Sequence, residues 1–214
     1  MERRLVFNAT ALFEVIAKSV NKPSDAIKSF TKIAEGGSYR VFEAKFDDEL
    51  GIIVRLPYPC TLPRSFGIAS EVATMQFLRL QGIPIPEIFD WASSAENPVG
   101  SEYIVMAKAK GKELEESWYS MTISERMSMT ERIVDLEEKL FQIRFPSSGS
   151  IYHRSFLRSR GIGMPPISTA GVDAEEFCIG PSSAYLWWYG DRDRLTINRG
   201  PCMWIPESFY ATLN

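Results

Sequence analysis

The chain has 214 residues, 45% of them hydrophobic and 24% charged, which is the ordinary composition of a globular protein of one or two domains. Its 24 Lys and Arg against 27 Asp and Glu give a formal net charge of -3, which argues against a nucleic-acid surface built on bulk positive charge. No apolar run approaches the roughly 20 residues of a membrane-spanning helix, and no secretory apolar core follows the first residues. The sequence therefore predicts partners that are neither nucleic acid nor membrane.

Counts of cysteine and histidine restrict the possible redox and metal chemistry. The three cysteines, Cys60, Cys178 and Cys202, are far apart and form no CxxC pair, which indicates reduced thiols in an intracellular protein. The single histidine, His153, excludes a His-rich metal site and is the one residue that a Ser/His/Asp triad could use. The sequence thus predicts neither a disulfide framework nor a histidine-rich metal centre.

Hydrophobic spacing predicts an α+β protein, in the order helix, three strands, helix, two strands and further helices. Asn8 is placed to cap a first helix that carries Leu12, Ile16 and Val20. We expect strands at residues 30–33, 39–46, 52–56, 88–91 and 102–107, and helices at residues 70–80 and 125–143. From Pro146 onward Gly, Pro, Ser and aromatic residues interrupt the chain, which predicts an irregular linker, with another helix beginning near residues 206–210.

A glycine-rich turn, Glu35-Gly36-Gly37-Ser38, lies between the first two predicted strands. Glycine has no Cβ, so the backbone N–H groups of such a turn can approach phosphate oxygens closely. A Gly-Gly pair between two strands is also an ordinary hairpin turn. Both interpretations stay open for this segment on its own.

Arg55 is a lone charge in the predicted strand 52–56, which is otherwise apolar and which we expect to be covered on both faces. A buried charge is costly unless it is paired, and Glu71 on the next predicted helix is a candidate partner. We therefore expect the two side chains to lie within about 4 Å of each other. The guanidinium would then serve either a structural ion pair or the binding of nucleotide phosphates through its planar fork.

Residues 102–108 would form the last strand and a hinge between two lobes. The order of strands, glycine turn and helix resembles the small lobe of a protein-kinase-like fold, in which the backbone of such a hinge would bond adenine, with Met106 against the ring and Lys108 at the end of the segment. The alternative is a core strand with an ordinary methionine.

Four segments, 30–37, 53–57, 70–75 and 97–104, resemble the aminoglycoside phosphotransferase / choline kinase-like superfamily, and most closely its fungal phosphotransferase-domain branch. The resemblance runs from about residue 2 to the end of the chain. It implies a protein-kinase-like small lobe, with a five-stranded antiparallel sheet plus a helix, before the helical beginning of a large lobe. The implied parts are an N-terminal helix and connector at 1–28, an ATP-binding lobe at 29–111, the first large-lobe helices at 112–145 and an irregular linker at 146–214.

The resemblance also implies a function, because members of this superfamily are kinases that transfer the γ-phosphoryl group of ATP, with Mg²⁺, to a hydroxyl of a small-molecule acceptor. Arg55 matches the phosphate-binding cation and Glu71 its helix partner. Ala107 departs from the acidic residue often found at the hinge, which leaves a backbone contact there. The implied nucleotide-binding residues are Glu35, Gly36, Gly37, Ser38, Arg55, Glu71, Met106 and Lys108.

The catalytic residues of the superfamily have no match in the chain. Phosphoryl transfer there needs an Asp in a His-x-Asp loop, an Asn five residues later and a second Asp for Mg²⁺. The segment after His153 has serine where the Asp is needed, and Asp193 and Asn198 have no histidine before them. Asp173 and Asp191 lie in the Gly- and Pro-rich linker without a sign of rigid support. We expect a chain that stops before its catalytic loop, binds ATP weakly and transfers no phosphoryl group.

Two other classes of protein stay open, a non-catalytic pseudokinase-like binding module and a decayed remnant without activity. The predicted helix 125–143 should expose an apolar stripe of Ile133, Leu136 and Leu140, and could receive a protein partner. The resemblance implies mitochondria, although a targeting segment would lie upstream of Met1. A cytoplasmic location is expected otherwise.

Overall fold

The computed structural model describes residues 3–167 and 175–203, and its helices and strands confirm the predicted α+β class. The elements are α1 (Ala9–Ser19), β1 (Ile27–Glu35), β2 (Tyr39–Phe46), β3 (Gly51–Pro57), α2 (Phe66–Leu80), β4 (Ile88–Ala92), β5 (Tyr103–Ala107), α3 (Leu114–Trp118), α4 (Ile123–Gln142), β6 (Ser147–Ser148), β7 (Ser150–His153), α5 (Arg154–Arg158), β8 (Phe177–Gly180) and β9 (Cys202–Met203). The first five strands form one antiparallel sheet in the order β1-β2-β3-β5-β4, which confirms the five-stranded antiparallel sheet. Its likeness to a kinase lobe stays a prediction.

The sheet lies between α1, which precedes its first strand, and α2, which follows β3. The side chain of Asn8 accepts a hydrogen bond from the Ala11 amide, so the predicted N-cap of α1 is confirmed. Leu12 and Ile16 of α1 are fully buried in one core with alternate residues of β3. A second core joins α2 to β5 on the other face of the sheet, and it contains Ile68, Val72, Ile104 and Met106.

Two predicted features of this region need correction. The helix expected to begin at Ser70 begins at Phe66. This added turn buries the apolar side chains of Ile68 and Ala69, which an exposed loop would leave in water. The strand expected to be covered on both faces is fully buried on one face alone. Its other face, with Ile53 and Arg55, is half-buried because α2 covers it only in part.

The segment predicted as an irregular linker contains short strands that pack on α2. Strands β7 and β8 pair antiparallel, from Ser150 opposite Gly180 to His153 opposite Phe177, and form the β7–β8 sheet. Phe177 packs in one core with Ala73 of α2. The helix expected near residues 206–210 lies outside the described residues. The described part of this segment is therefore an integral part of the fold around α2.

Helix α4 presents apolar side chains on its surface, as predicted for Ile133 and Leu140, whereas Leu136 is half-buried. Thr122 and Glu125 form a capping box at its start, in which the Glu125 carboxylate accepts from the Thr122 amide at 2.8 Å. Ile133 and Leu140 are 41% and 42% exposed, and no part of the chain that the structure describes buries any residue of this helix. A protein partner for this surface stays a prediction. Among the described residues, no helix is long and apolar enough to cross a membrane.

The single histidine gives the fold a predictable pH dependence. The ring of His153 bonds Gln76 Oε1 at 2.7 Å and lies between the rings of Trp91 and Phe177. Burial lowers the pKa of His153 below its ordinary value of 6.5, and the Glu176 carboxylate opposes this shift. The unfolded chain therefore binds the proton more readily than the folded chain. The contribution of neutral His153 to the free energy of unfolding is therefore fully present above about pH 6.5. It is lost as the pH falls through the lower pKa of His153 in the folded state.

We expect the free energy of unfolding to fall between pH 7.5 and pH 5 in the wild type, and to fall less in His153→Gln, which can still bond Gln76 but does not titrate. Urea unfolding at several pH values measures both proteins, and their difference cancels the contribution of the carboxylates. Parallel pH dependence in the two proteins would contradict this assignment.

Candidate functional site

Arg55, Glu71 and Tyr39 form one polar cluster between the sheet and α2. Arg55 Nη1 donates to Glu71 Oε1, which confirms the predicted ion pair. The hydroxyl of Tyr39 donates to Glu71 Oε2 at 2.8 Å, and the guanidinium lies 4.4 Å from the centre of the Tyr39 ring. Each carboxylate oxygen of Glu71 therefore has a donor, and Arg55 gains a cation–π contact as well.

Local structure explains why these three side chains meet. In the β2–β3 register Val41 lies opposite Arg55, so Tyr39, two residues along, faces the same side as a diagonal neighbour. On α2, Glu71 is next to Val72 and one helical turn from Met75, the side of the helix that packs on the sheet. Sequence analysis missed Tyr39, because only the β2–β3 register shows which face of β2 lies beside Arg55.

The cluster is partly open to solvent. The side chains of Arg55 and Glu71 are 27% and 24% exposed. Burial, and then the negative charge of Glu71, raise the pKa of the Tyr39 phenol above its ordinary value. Tyr39 therefore stays protonated at neutral pH and acts as a donor to Glu71.

The glycine turn closes β1 and β2 as a hairpin. The Gly36 amide donates to the Tyr39 carbonyl at 2.9 Å, so this amide, one of those expected to approach phosphate, is already engaged. A Cβ on Gly36 or Gly37 would meet no heavy atom within 4 Å. The Ser38 carbonyl accepts from the Tyr58 amide at 3.0 Å and anchors one side of the turn. The turn has free space around it, and the approach of a phosphate to its amides stays a prediction.

Glu35 at the start of this turn is held by cations. Lys32 Nζ lies 2.7 Å and Arg40 Nη2 2.9 Å from its carboxylate, and the hydroxyl of Tyr58 also donates to it. These hydrogen bonds, with Lys32 first, lower the pKa of Glu35 to about 2. Its carboxylate is thus fully ionised and neutralised by its neighbours at physiological pH.

The predicted hinge is more enclosed than expected. Met106 is 6% exposed and packs in the core with Ile68 and Val72 of α2, which agrees with the alternative of a core methionine. The amide of Ala107 donates to the Glu87 carbonyl at 2.8 Å. A contact of Met106 with an adenine ring stays a prediction, and this packing restricts it to a small part of the side chain.

Lys108, expected at the nucleotide, forms an ion pair that sequence analysis missed. Its Nζ lies 2.8 Å from Glu43 Oε1, and the Glu43 residue is only 7% exposed. A Cβ on Gly51 would lie 3.0 Å from this carboxylate oxygen and 3.1 Å from Lys108 Cδ, so glycine leaves room for the pair. The even spacing of Val41 and Glu43 along β2 was the signal that Glu43 faces inward.

The residues that mimic a catalytic loop lie in separate surroundings. His153 is occupied by Gln76 and two aromatic rings. Asp193 lies on an exposed 3-10 turn, and Asn198 accepts the amide of Gly200 at 2.9 Å. Asp173 lies outside the described residues. Within 3–167 and 175–203, no three His, Cys, Asp or Glu residues are close enough together to hold a metal ion.

Curated fungal proteins are similar to this chain. A subtelomeric hrmA-associated cluster protein of Aspergillus fumigatus is 38% identical over 187 residues, which cover 87% of this chain and 35% of that protein. Altered inheritance of mitochondria protein 9 of Yarrowia lipolytica is 27% identical over 232 residues, which cover 99% of this chain and 40% of the relative. The Saccharomyces cerevisiae protein of that name is 27% identical over 157 residues, which cover 67% of this chain and 25% of that relative.

These relatives confirm one part of the expected resemblance. The likeness to altered inheritance of mitochondria protein 9 holds along the chain, whereas membership of a phosphotransferase superfamily stays a prediction. No protein-family model matches the chain. The chain spans 35% of the Aspergillus relative and 40% of the Yarrowia relative. The activity of either full-length protein therefore cannot be assigned to this chain.

The cluster predicts how stability responds to loss of one charge. We expect Glu71→Gln to lower the free energy of unfolding by about 1–2 kcal/mol, because it leaves the half-buried Arg55 without its counter-charge. Glu87→Gln is the matched control, since its pair with Arg79 is exposed and joins atoms 3.5 Å apart, and its loss should cost less than about 0.5 kcal/mol. Urea unfolding of both variants measures this, and equal small losses would show that the Arg55 pair adds nothing.

Proposed function

We propose that this chain is a nucleotide-binding unit of a kinase-like phosphotransferase, with Arg55 as the cation that receives the phosphates of ATP. The observation that carries the proposal is the Arg55 guanidinium, held by Glu71 and Tyr39 yet 27% exposed. The hydrogen bond from Arg55 to Glu71 uses the Nη1 atom of the guanidinium. The guanidinium has five N–H donors, so further donors can bond phosphate oxygens.

The arrangement of elements supports the same function. An open glycine turn joins β1 and β2, the cation lies on β3, and its acidic partner is on the helix that follows β3. This order agrees with the small lobe that the sequence resemblance implies. The same resemblance makes Glu35, Gly37, Ser38 and Met106 expected contacts of the nucleotide. In the complete superfamily the acceptor is a hydroxyl of a small molecule.

Binding should be weak in this chain by itself. Mg²⁺ bridges the β- and γ-phosphates in such sites and needs acidic ligands. The described residues contain no cluster suited to it, and Gly36 and Lys108 have partners within the chain. A non-catalytic binding module and a decayed remnant therefore remain the rival functions, and phosphoryl-transfer measurements separate them from an enzyme.

We also propose a mitochondrial location. The support is the printed name of the Yarrowia and Saccharomyces relatives, altered inheritance of mitochondria protein 9, mitochondrial. Imaging of the tagged native chain tests this, and exclusive cytoplasmic signal would contradict it.

The first functional prediction concerns ATP binding. Isothermal calorimetry should detect weak binding, and Arg55→Ala should weaken it at least about tenfold, because the variant loses a charge-assisted contact. Arg79→Ala is the control, since that arginine is exposed at the end of α2 and pairs with Glu87. Equal binding by both variants would overturn the proposed role of Arg55. Submicromolar, Mg²⁺-dependent affinity would reveal a metal site in the chain.

The second functional prediction is that the 214-residue chain transfers no phosphoryl group. Catalysis in this class depends on positioning and charge stabilisation, and general-base help alone contributes roughly 10²–10⁴-fold. Labelled ATP, Mg²⁺ and a panel of hydroxyl-bearing small molecules should give background signal. Turnover that survives purification and disappears in Asp193→Ala would make that residue catalytic and refute this prediction.

A further inference from the structure

We propose that the β7–β8 sheet is a positioning element, which holds α2 at the rotation where Glu71 meets Arg55. Its effect on the ion pair is independent of any ligand. Its effect on ATP binding rests on the function proposed above. Three sides of α2 have different neighbours, which are the large sheet, the β7–β8 sheet and an open groove.

One side of α2 packs on the large sheet. Ile68, Val72 and Met75 share a core with Ile104 and Met106 of β5. These residues are three or four positions apart, so they form one stripe along the helix. Glu71 lies at the edge of this stripe, where its carboxylate reaches the face of β3 that carries Arg55.

A second side of α2 packs on the β7–β8 sheet. Ala73 and Phe77 share a core with Phe177 and Ile179, and the rings of Phe77 and Phe177 are 5.7 Å apart. Ala69 belongs to a neighbouring core with residues of β7, α5 and β8. Gln76 Oε1 bonds the ring of His153 at 2.7 Å, which fixes a polar point within this apolar contact.

The third side of α2 faces a groove. A cavity of about 700 Å³ lies between the helix and residues 145–151, and its lining includes Ser70, Thr74, Gly149 and Ile179. Glu71 is also part of this lining, so its carboxylate is at the border between the groove and the ion pair. The β7–β8 sheet borders this groove through Ile179 and, together with the core on the large sheet, opposes rotation of the helix into the open space.

A small rotation is enough to matter. A side-chain end lies about 6 Å from the helix axis, so a turn of about 25° moves it by about 2.5 Å. Such a displacement takes the 2.8 Å contact between Tyr39 and Glu71 out of hydrogen-bonding range. The position of the β7–β8 sheet thus decides whether the cluster forms.

Close packing makes this sheet a stiff support. A Cβ on Gly180 would lie 2.6 Å from Leu157 Cδ1 and 2.8 Å from Tyr152 Cδ2, and a Cβ on Gly149 would clash with the Gly180 carbonyl oxygen. Side chains in a core packed this closely have little freedom to yield. The β7–β8 sheet therefore holds α2 at one position.

The test compares two substitutions of the same kind. Ile179→Ala removes side-chain volume between the β7–β8 sheet and α2, whereas Ile16→Ala removes it from the core on the opposite face of the large sheet. Ile179 is 6% and Ile16 0% exposed, so both should lose stability. The probe is ¹⁹F NMR of protein labelled with 3-fluorotyrosine, in which Tyr39→Phe identifies the Tyr39 signal.

We expect Ile179→Ala alone to shift the Tyr39 signal and to make its phenol titrate at lower pH than in the labelled wild type, because the Glu71 carboxylate moves away. Ile179→Val should restore most of the wild-type signal. ATP binding should weaken about 3- to 10-fold in Ile179→Ala and not in Ile16→Ala. A Tyr39 signal that is unchanged in folded Ile179→Ala, or equally changed in Ile16→Ala, overturns the proposal.

Two further outcomes keep the test decisive. If Ile179→Ala does not fold, Gln76→Leu replaces it, and an unchanged Tyr39 signal in that variant overturns the proposal. If the Tyr39 signal responds as expected but the wild type binds no ATP, the positioning role is supported and the proposed nucleotide function fails.

Discussion

The positive charge of Arg55 on an apolar strand is the constraint on which the arrangement of sheet and helix depends. Its neighbours Val54 and Leu56 are fully buried, so β3 cannot move toward water to relieve the charge. A counter-charge has to come from another element, and Glu71 brings it from α2. The guanidinium–carboxylate pair adds a directional contact between strand and helix to the apolar packing that holds α2 in place.

The same rule governs the other end of this face of the sheet. Glu43 is buried on β2 and is matched by Lys108 just after β5, with the missing side chain of Gly51 leaving room between them. Glu71 and Glu43 thus each have a cation, as expected where unpaired charge is costly. The two pairs join β2, β3, β5 and α2 by polar contacts, which adds directional specificity to the apolar cores on both faces.

The Arg55 pair could be predicted from sequence because one charge interrupts an apolar run and an acid follows on the next helix. The role of Tyr39 could not, because it depends on the β2–β3 register. The packing of the β7–β8 sheet was also out of reach, since its strands are too short for a periodic signal. The contact between Gln76 and His153 joins residues 77 positions apart, and nothing in the intervening sequence indicates it.

Partial exposure of the Arg55 pair reconciles its structural and proposed roles. A fully buried guanidinium would be stable but unable to meet a ligand, and a fully exposed one would be screened by salt and poorly fixed. The neighbouring turn contributes in another way, because Lys32 and Arg40 are two cations on the single carboxylate of Glu35. That pairing leaves one positive charge in excess beside the open glycines. Arg40 lies opposite the buried Leu56 in the β2–β3 register, so this excess charge is on the other face of the sheet from Arg55, and an anion near the turn would meet it separately from the Arg55 donors.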